Sequence, residues 1–152
     1  MALSVLTGSA VLFVCLASVF LWTMLREPFK VIVTPETVRV HLKEPFKLHL
    51  KVKNVSKENQ HIETYLCSWY ENWTTDSSVV TFPVWGCDVN PWGEFELAPG
   101  KSWEKDLDMT ISKTIPTNHV SLHMGFRSSY KGVELDKSKY YWSNKVTIEV
   151  VP

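Results

Sequence analysis

The chain has 152 residues, room for one domain of ordinary size rather than two. Sixteen Lys and Arg balance sixteen Asp and Glu, so it lacks the basic excess that phosphate binding needs, and nucleic acid is excluded as the default partner. A 45% hydrophobic share indicates a packed domain rather than a disordered chain, and three cysteines are too few for a disulfide framework or a four-cysteine zinc module.

Residues Ala2 to Leu25 form an uncharged run of 24 residues. As a helix it would be about 36 Å long, against a hydrocarbon core of roughly 30 Å. Residues 1–25 are therefore expected as a transmembrane anchor or an uncleaved signal. The segment before the run has no Lys or Arg, and the small-residue pattern at Cys15-Leu16-Ala17 is followed by more apolar sequence, Val19-Phe20-Leu21-Trp22, which argues against a cleaved leader. Trp22 falls near the interface end of such a span. Arg26, Lys30, Arg39 and Lys43 follow it and favour a cytoplasmic domain, but charge rules weaken for long translocated segments. The cysteines and the strand pattern point outward, and the expectation is a single-pass protein with an extracytoplasmic C-terminal domain.

Residues 26–30 read as a linker, and residues 31–152 as a β-sandwich domain. Apolar residues recur at every second position in five runs. Val38, Val40 and Leu42 form the first, and Phe46, Leu48, Leu50 and Val52 the second. Trp103, Leu107, Met109 and Ile111 share one parity, as do Val120, Leu122, Met124 and Phe126, then Val146, Ile148 and Val150. Such runs have one dry and one wet face, the signature of antiparallel sheets over a shared core. Breaks fall at Lys43-Glu44-Pro45, at residues 54–59, at Ile115-Pro116-Thr117-Asn118, and at Ala98-Pro99-Gly100-Lys101, where Pro-Gly occupies the centre of a type II turn. The spacing predicts about seven to nine strands.

The segments Asn54-Val55-Ser56, Leu97-Ala98-Pro99-Gly100 and the closing Tyr141-Trp142-Ser143-Asn144-Lys145-Val146-Thr147-Ile148 resemble uncharacterised immunoglobulin-like domains of secreted and envelope proteins. The resemblance covers roughly residues 30–152 and implies an all-β, antiparallel immunoglobulin-like sandwich. It departs from true immunoglobulin domains in its cysteines. Those domains bridge two cysteines far apart in sequence, whereas Cys67 and Cys87 here lie close together.

Cys15 sits in the apolar span, which leaves Cys67 and Cys87 as the pair available for a disulfide, worth about 3 kcal/mol through chain entropy. The alternative is two buried thiols in a reducing compartment. Five large aromatics, Trp69, Tyr70, Trp73, Trp85 and Trp92, fall within 24 residues around this pair. One reading is a recognition surface, since Trp and Tyr supply rigid contact area. The other is that Trp69 and Trp85 plug the core while the rest cover its rim. Tyr70, Trp73 and Trp92 are the expected exposed binding residues. Asn54-Val55-Ser56 and Asn72-Trp73-Thr74 match the glycosylation acceptor triplet, which would place Asn54 and Asn72 on exposed loops.

No nucleophile elbow, phosphate loop, dinucleotide glycine pattern or HExxH motif is present, so the expectation is a non-catalytic binding or structural module with no cofactor. Its partners would be the membrane, through the N-terminal helix, and another envelope or cell-surface protein. One alternative is an accessory protein that binds a small ligand or metal through His41, His49, His119 and His123. The row Glu104, Asp106 and Asp108 would assist it. No metal site is expected by default: His119 and His123 share a strand face but stand about 13 Å apart, and the acidic row lacks calcium-loop spacing. A peptidase-inhibitor-like module is a further alternative.

Overall fold

The computed structural model of the chain describes residues 27–82, 85–113, 115–129 and 140–151. The expected membrane-spanning helix, residues 1–25, lies outside these residues. Among the described residues no helix is long and apolar enough to cross a membrane.

The described chain is almost entirely β. Its strands are β1 (Phe29–Pro35), β2 (Arg39–His41), β3 (Pro45–Asn54), β4 (Gln60–Tyr65), β5 (Trp73–Thr75), β6 (Val80–Thr81), β7 (Trp92–Leu97), β8 (Ser102–Ile111), β9 (His119–Leu122), β10 (Met124–Phe126), β11 (Tyr141–Trp142) and β12 (Val146–Val151). One 3-10 turn, Trp69–Asn72, interrupts them. Four sheets result, in the orders β1-β3-β8-β6, β11-β10-β5, β2-β12-β9 and β4-β7. All pairs are antiparallel except β2 with β12, which is parallel.

More strands appear than the seven to nine expected, in part because two long strands are broken by side-chain hydrogen bonds. His123 separates β9 from β10, and its backbone N–H donates to Asp76 Oδ1 at 2.8 Å. Ser143 to Lys145 separate β11 from β12. There the Ser143 N–H donates to the Met124 carbonyl at 2.9 Å, and the Ser143 hydroxyl accepts from the Met124 N–H at 3.0 Å. The hydroxyl thus replaces a backbone carbonyl in the ladder. Asn144 reaches across to β1, accepting from the Val33 N–H at 2.9 Å and donating to the Val33 carbonyl at 3.0 Å. One side-chain amide in this way satisfies both backbone groups of Val33, which would otherwise be orphaned polar groups beside the core.

The β3–β8 ladder is the spine of the molecule, running from Pro45↔Thr110 to Lys53↔Ser102. Its inward row, Leu48, Leu50, Val52, Leu107 and Met109, is fully buried and meets Ile62, Leu122, Met124, Phe126 and Ile148 in one shared core. Each such side chain contributes about 1.5–3 kcal/mol by leaving water. The outward row pairs basic with acidic side chains. Lys51 bonds Glu104 at 2.6 Å, and His49 lies 2.8 Å from Asp106 and 3.5 Å from Glu104. The Lys51 ammonium holds the Glu104 carboxyl below the usual range.

Two turns use left-handed backbone, one at a glycine that favours it and one at a lysine that does not. Lys101 N–H donates to the Ala98 carbonyl at 3.0 Å, with Gly100 at φ 75°, the left-handed position that a type II turn requires. The break after β2 places Lys43 at φ 66° and starts β3 on Pro45. Val38 departs from the expected alternation. It is 65% exposed, because β2 is confined to Arg39–His41 at a sheet edge and Val38 contributes its carbonyl, accepting from the Glu149 N–H at 2.7 Å. β1 begins at Phe29, inside the stretch expected as linker, and buries Phe29, Val31 and Val33.

Candidate functional site

Cys67 and Cys87 form a disulfide across 20 residues, with Cα atoms 6.4 Å apart. The start of the loop that it closes is held by Asn90, three residues past Cys87. The Asn90 side-chain oxygen accepts from the N–H groups of Cys67 and Ser68, at 3.3 and 3.2 Å, and its amide donates to the Ser68 hydroxyl at 2.7 Å. Directly after the first cysteine the chain makes its 3-10 turn, closed by the Glu71 N–H on the Ser68 carbonyl at 2.9 Å. This turn projects Trp69 and Tyr70.

The aromatics form a continuous path from surface to core. Tyr70 and Trp85 meet at 4.2 Å between ring centroids, and the Tyr70 hydroxyl donates to the Trp85 carbonyl at 3.4 Å. Trp69 contacts Tyr70, Trp85 and Trp103, each at 6.4 Å. Trp103 continues inward to Phe95 at 5.7 Å and Phe126 at 5.8 Å. Around the bridge, Leu66 is 63% exposed, Val89 76% and Trp85 36%.

The three residues expected as an exposed binding set are separated by the fold. Tyr70 is half-buried at the loop. Trp92 is half-buried elsewhere, on β7, edge-on to Tyr65 at 5.0 Å. Trp73 is a correction: it is 5% exposed and packs on Phe126 at 5.2 Å, because it starts β5 with its ring facing the core. Trp85, expected as a core plug, is instead an exposed member. Leu66 and Val89 carried no sequence signal, since neither lies in an alternating run.

Asn54 and Asn72 are also corrected as exposed-loop residues, because both are fully buried. The Asn54 amide donates to the carbonyls of Glu58 and Leu97, each at 2.7 Å, and its oxygen accepts from the N–H and hydroxyl of Ser56. The Asn72 amide donates to the carbonyls of Glu63 and Arg127, at 2.7 and 2.9 Å. Each Asn amide nitrogen has both protons engaged, and each triplet serves as an internal staple.

A cleft of about 310 Å³ opens beside the loop, lined by Thr64, Tyr65, Leu66, Trp69, Phe95, Trp103 and Lys105. Lys105 lies on the inward parity of β8, its ammonium 5.6 Å from the centroid of the Trp69 ring. No carboxylate lies within 4.0 Å of it among the described residues, since Glu104 and Asp106 point to the other face, toward Lys51 and His49. The Thr64 hydroxyl is engaged with the Tyr65 carbonyl at 3.1 Å. A larger groove, about 480 Å³, runs between β1 and Trp142–Asn144, but Asn144 is already bonded to Val33 there.

The histidines do not converge. His49 is paired with Asp106, His119 with Asn118 at 2.8 Å, and His123 with Asp76 at 2.8 Å. His41 closes the short edge strand β2. His61, Glu63 and Glu94 instead bring three donor atoms within 4.8 Å of one another on the β4–β7 pair. The register explains this, because Glu63 stands directly opposite Glu94, and His61 is two residues before Glu63 on the same face. Sequence alone shows His61-x-Glu63 but not the strand that faces it.

No family model and no curated protein matches the chain. Among solved structures it is similar to a FixG-related protein from Vibrio parahaemolyticus, at 12% identity and a TM-score of 0.45, covering 83% of this chain and 97% of that one. It is also similar to Spo0M, a sporulation control protein from Bacillus subtilis, at 14% identity and a TM-score of 0.47. That alignment covers 82% of this chain and 50% of Spo0M. A β-glucosidase, EmGH1 from Erythrobacter marinus, is matched over 15% of its length, at 8% identity and a TM-score of 0.41.

Proposed function

We propose that the chain is a membrane-tethered, extracytoplasmic binding module, non-catalytic, that holds another envelope or cell-surface protein through the rim of its disulfide loop. The observation that carries this reading is the exposure of Leu66, Trp85 and Val89, each within two residues of a cysteine of the Cys67–Cys87 bridge. Large apolar side chains gathered in one solvent-facing place mark interaction surfaces, and Trp is the residue most enriched among their anchors. The disulfide supports an oxidising compartment, and the uncharged run before residue 26 supports a tether. A tether raises the effective concentration of the module for neighbours on the same surface.

An immunoglobulin-like sandwich is the architecture that we assign to this module. The order β1-β3-β8-β6 in one sheet supports it, together with the passage from β1 in that sheet to β2 beside β12. Two measurements test the proposal. Protease added to sealed, right-side-out vesicles should digest the domain, and protection would refute the extracytoplasmic placement. A Leu66→Ser, Trp85→Ser double variant should fold normally yet lose partner retention in co-purification; full retention would refute the surface.

A second reading, a metal-binding accessory protein, is favoured by the His61, Glu63 and Glu94 arrangement. One imidazole and two carboxylates suit a divalent transition metal such as Zn²⁺. Calorimetric titration with Zn²⁺ should give one site that His61→Ala abolishes. No heat, or heat unchanged in the variant, would end this reading.

A further inference from the structure

We infer that the cleft beside the disulfide loop accepts an acidic side chain of the partner, flanked by apolar residues, and that Lys105 is the residue that selects it. The inference rests on the proposed binding surface and names the chemistry of what docks there. The cleft walls are apolar and aromatic, formed by Leu66, Trp69, Phe95 and Trp103. Lys105 supplies the ammonium, and no carboxylate of the described chain stands within 4.0 Å of it.

The desolvation of that ammonium decides the occupant. In the free protein Lys105 is half-buried, with its ammonium over the Trp69 ring and its remaining exposed surface open to water. Any group that fills the cleft removes this water. A neutral apolar occupant would leave a covered charge with the ring face as its one compensation, which is unfavourable. A basic occupant would add like-charge repulsion. A carboxylate restores the lost solvation as a charge-assisted hydrogen bond. The volume of about 310 Å³ holds one or two side chains rather than a folded element. The apolar wall of Leu66, Trp69, Phe95 and Trp103 then meets apolar residues on either side of the acid. Apolar contacts give the affinity, and the single ion pair gives the discrimination.

The experiment uses the full chain in detergent micelles and follows Trp fluorescence. The probes are two capped heptapeptides, Ser-Gly-Leu-Glu-Phe-Gly-Ser and its counterpart with Gln at the centre. The Glu peptide should bind at least tenfold tighter than the Gln peptide. Lys105→Met, which keeps a long unbranched side chain without the charge, should abolish that ratio, and Lys105→Glu should favour a third peptide with Lys at the centre. Near-ultraviolet circular dichroism checks that both variants keep their aromatic packing. Equal binding of the Glu and Gln peptides overturns the inference, as does a ratio that survives Lys105→Met or no saturable binding of any peptide. If these outcomes arise while Leu66→Ser, Trp85→Ser still releases the partner, the surface stands and the role of Lys105 falls.

Discussion

Tyr70 and Trp85 lie 15 residues apart in sequence, yet their rings meet at 4.2 Å across the mouth of the Cys67–Cys87 loop. The contact closes the loop a second time, in parallel with the disulfide, and leaves Trp85 36% exposed. Trp85 and Trp73 therefore differ in kind, although both belong to the same aromatic-rich stretch. Trp73→Ala removes a core ring and should cost about 3–5 kcal/mol. Trp85→Ser removes a half-free ring and should cost about 1 kcal/mol or less. Urea unfolding of the two variants checks the contrast; equal losses would place Trp85 in the core.

The disulfide predicts a stability loss of about 3 kcal/mol in the Cys67→Ser, Cys87→Ser double variant, through the larger entropy of the open loop when unfolded. Mass spectrometry with and without reductant verifies the bridge in the wild-type chain. Asn90 still holds Cys67 and Ser68 in the variant, so the loss should leave the β3–β8 spine intact. Hydrogen exchange that quickens in the loop but not in β3 would bear this out.

Asn72 predicts a larger effect than its size suggests. Asn72→Ala leaves the partly buried carbonyls of Glu63 and Arg127 without this amide donor, at a cost of about 1–3 kcal/mol by urea unfolding. Since the amides of Asn54 and Asn72 are buried and engaged, the folded chain should carry no glycan on either, even from a host that glycosylates. An unchanged mass after glycosidase treatment checks this.

Asp76 gives the pH dependence a direction. Partial burial pushes its carboxyl upward, but the backbone and ring N–H groups of His123 outweigh this and hold it below the ordinary value. The unfolded chain then binds the proton more readily than the folded one. The contribution is present above the unfolded value of about 3.9 and is lost as pH falls through the lower folded value. Asp76→Asn should flatten the acid limb of a stability–pH curve between about pH 5 and 2, with little change in shape above it. An acid limb identical to wild type would show that the clamp across the β9–β10 break is unimportant.

The long strands were legible in the sequence because their two faces differ sharply. Lys47, His49 and Lys51 against Leu48 and Leu50 leave no other register for β3, and Glu104, Asp106 and Asp108 fix β8 in the same way. The Pro99-Gly100 turn was legible for a local reason, the left-handed φ at Gly100. Other elements were hidden. In β1, Val31-Ile32-Val33 is apolar on both faces, which conceals the alternation. β4 offers Ile62 as its one aliphatic residue, so its pattern has no period to read. Trp73 failed because a Trp fits a rim or a core equally well until the strand parity is known. The acceptor triplets failed because the same short amide that receives a glycan can cap two buried carbonyls. The His61, Glu63 and Glu94 group and the Lys105 cleft depend on register and on sheet packing, which no local pattern encodes.

The central claim, that the rim of the disulfide loop is the surface that meets a partner, is tested most directly by photo-crosslinking in intact cells. A benzophenone amino acid is placed at position 85 and, as a control, at position 47 on the charged outer face of β3. Position 85 should give a discrete adduct that Leu66→Ser suppresses, and position 47 should give none. Adducts of equal yield from both positions, or from position 47 alone, would contradict it.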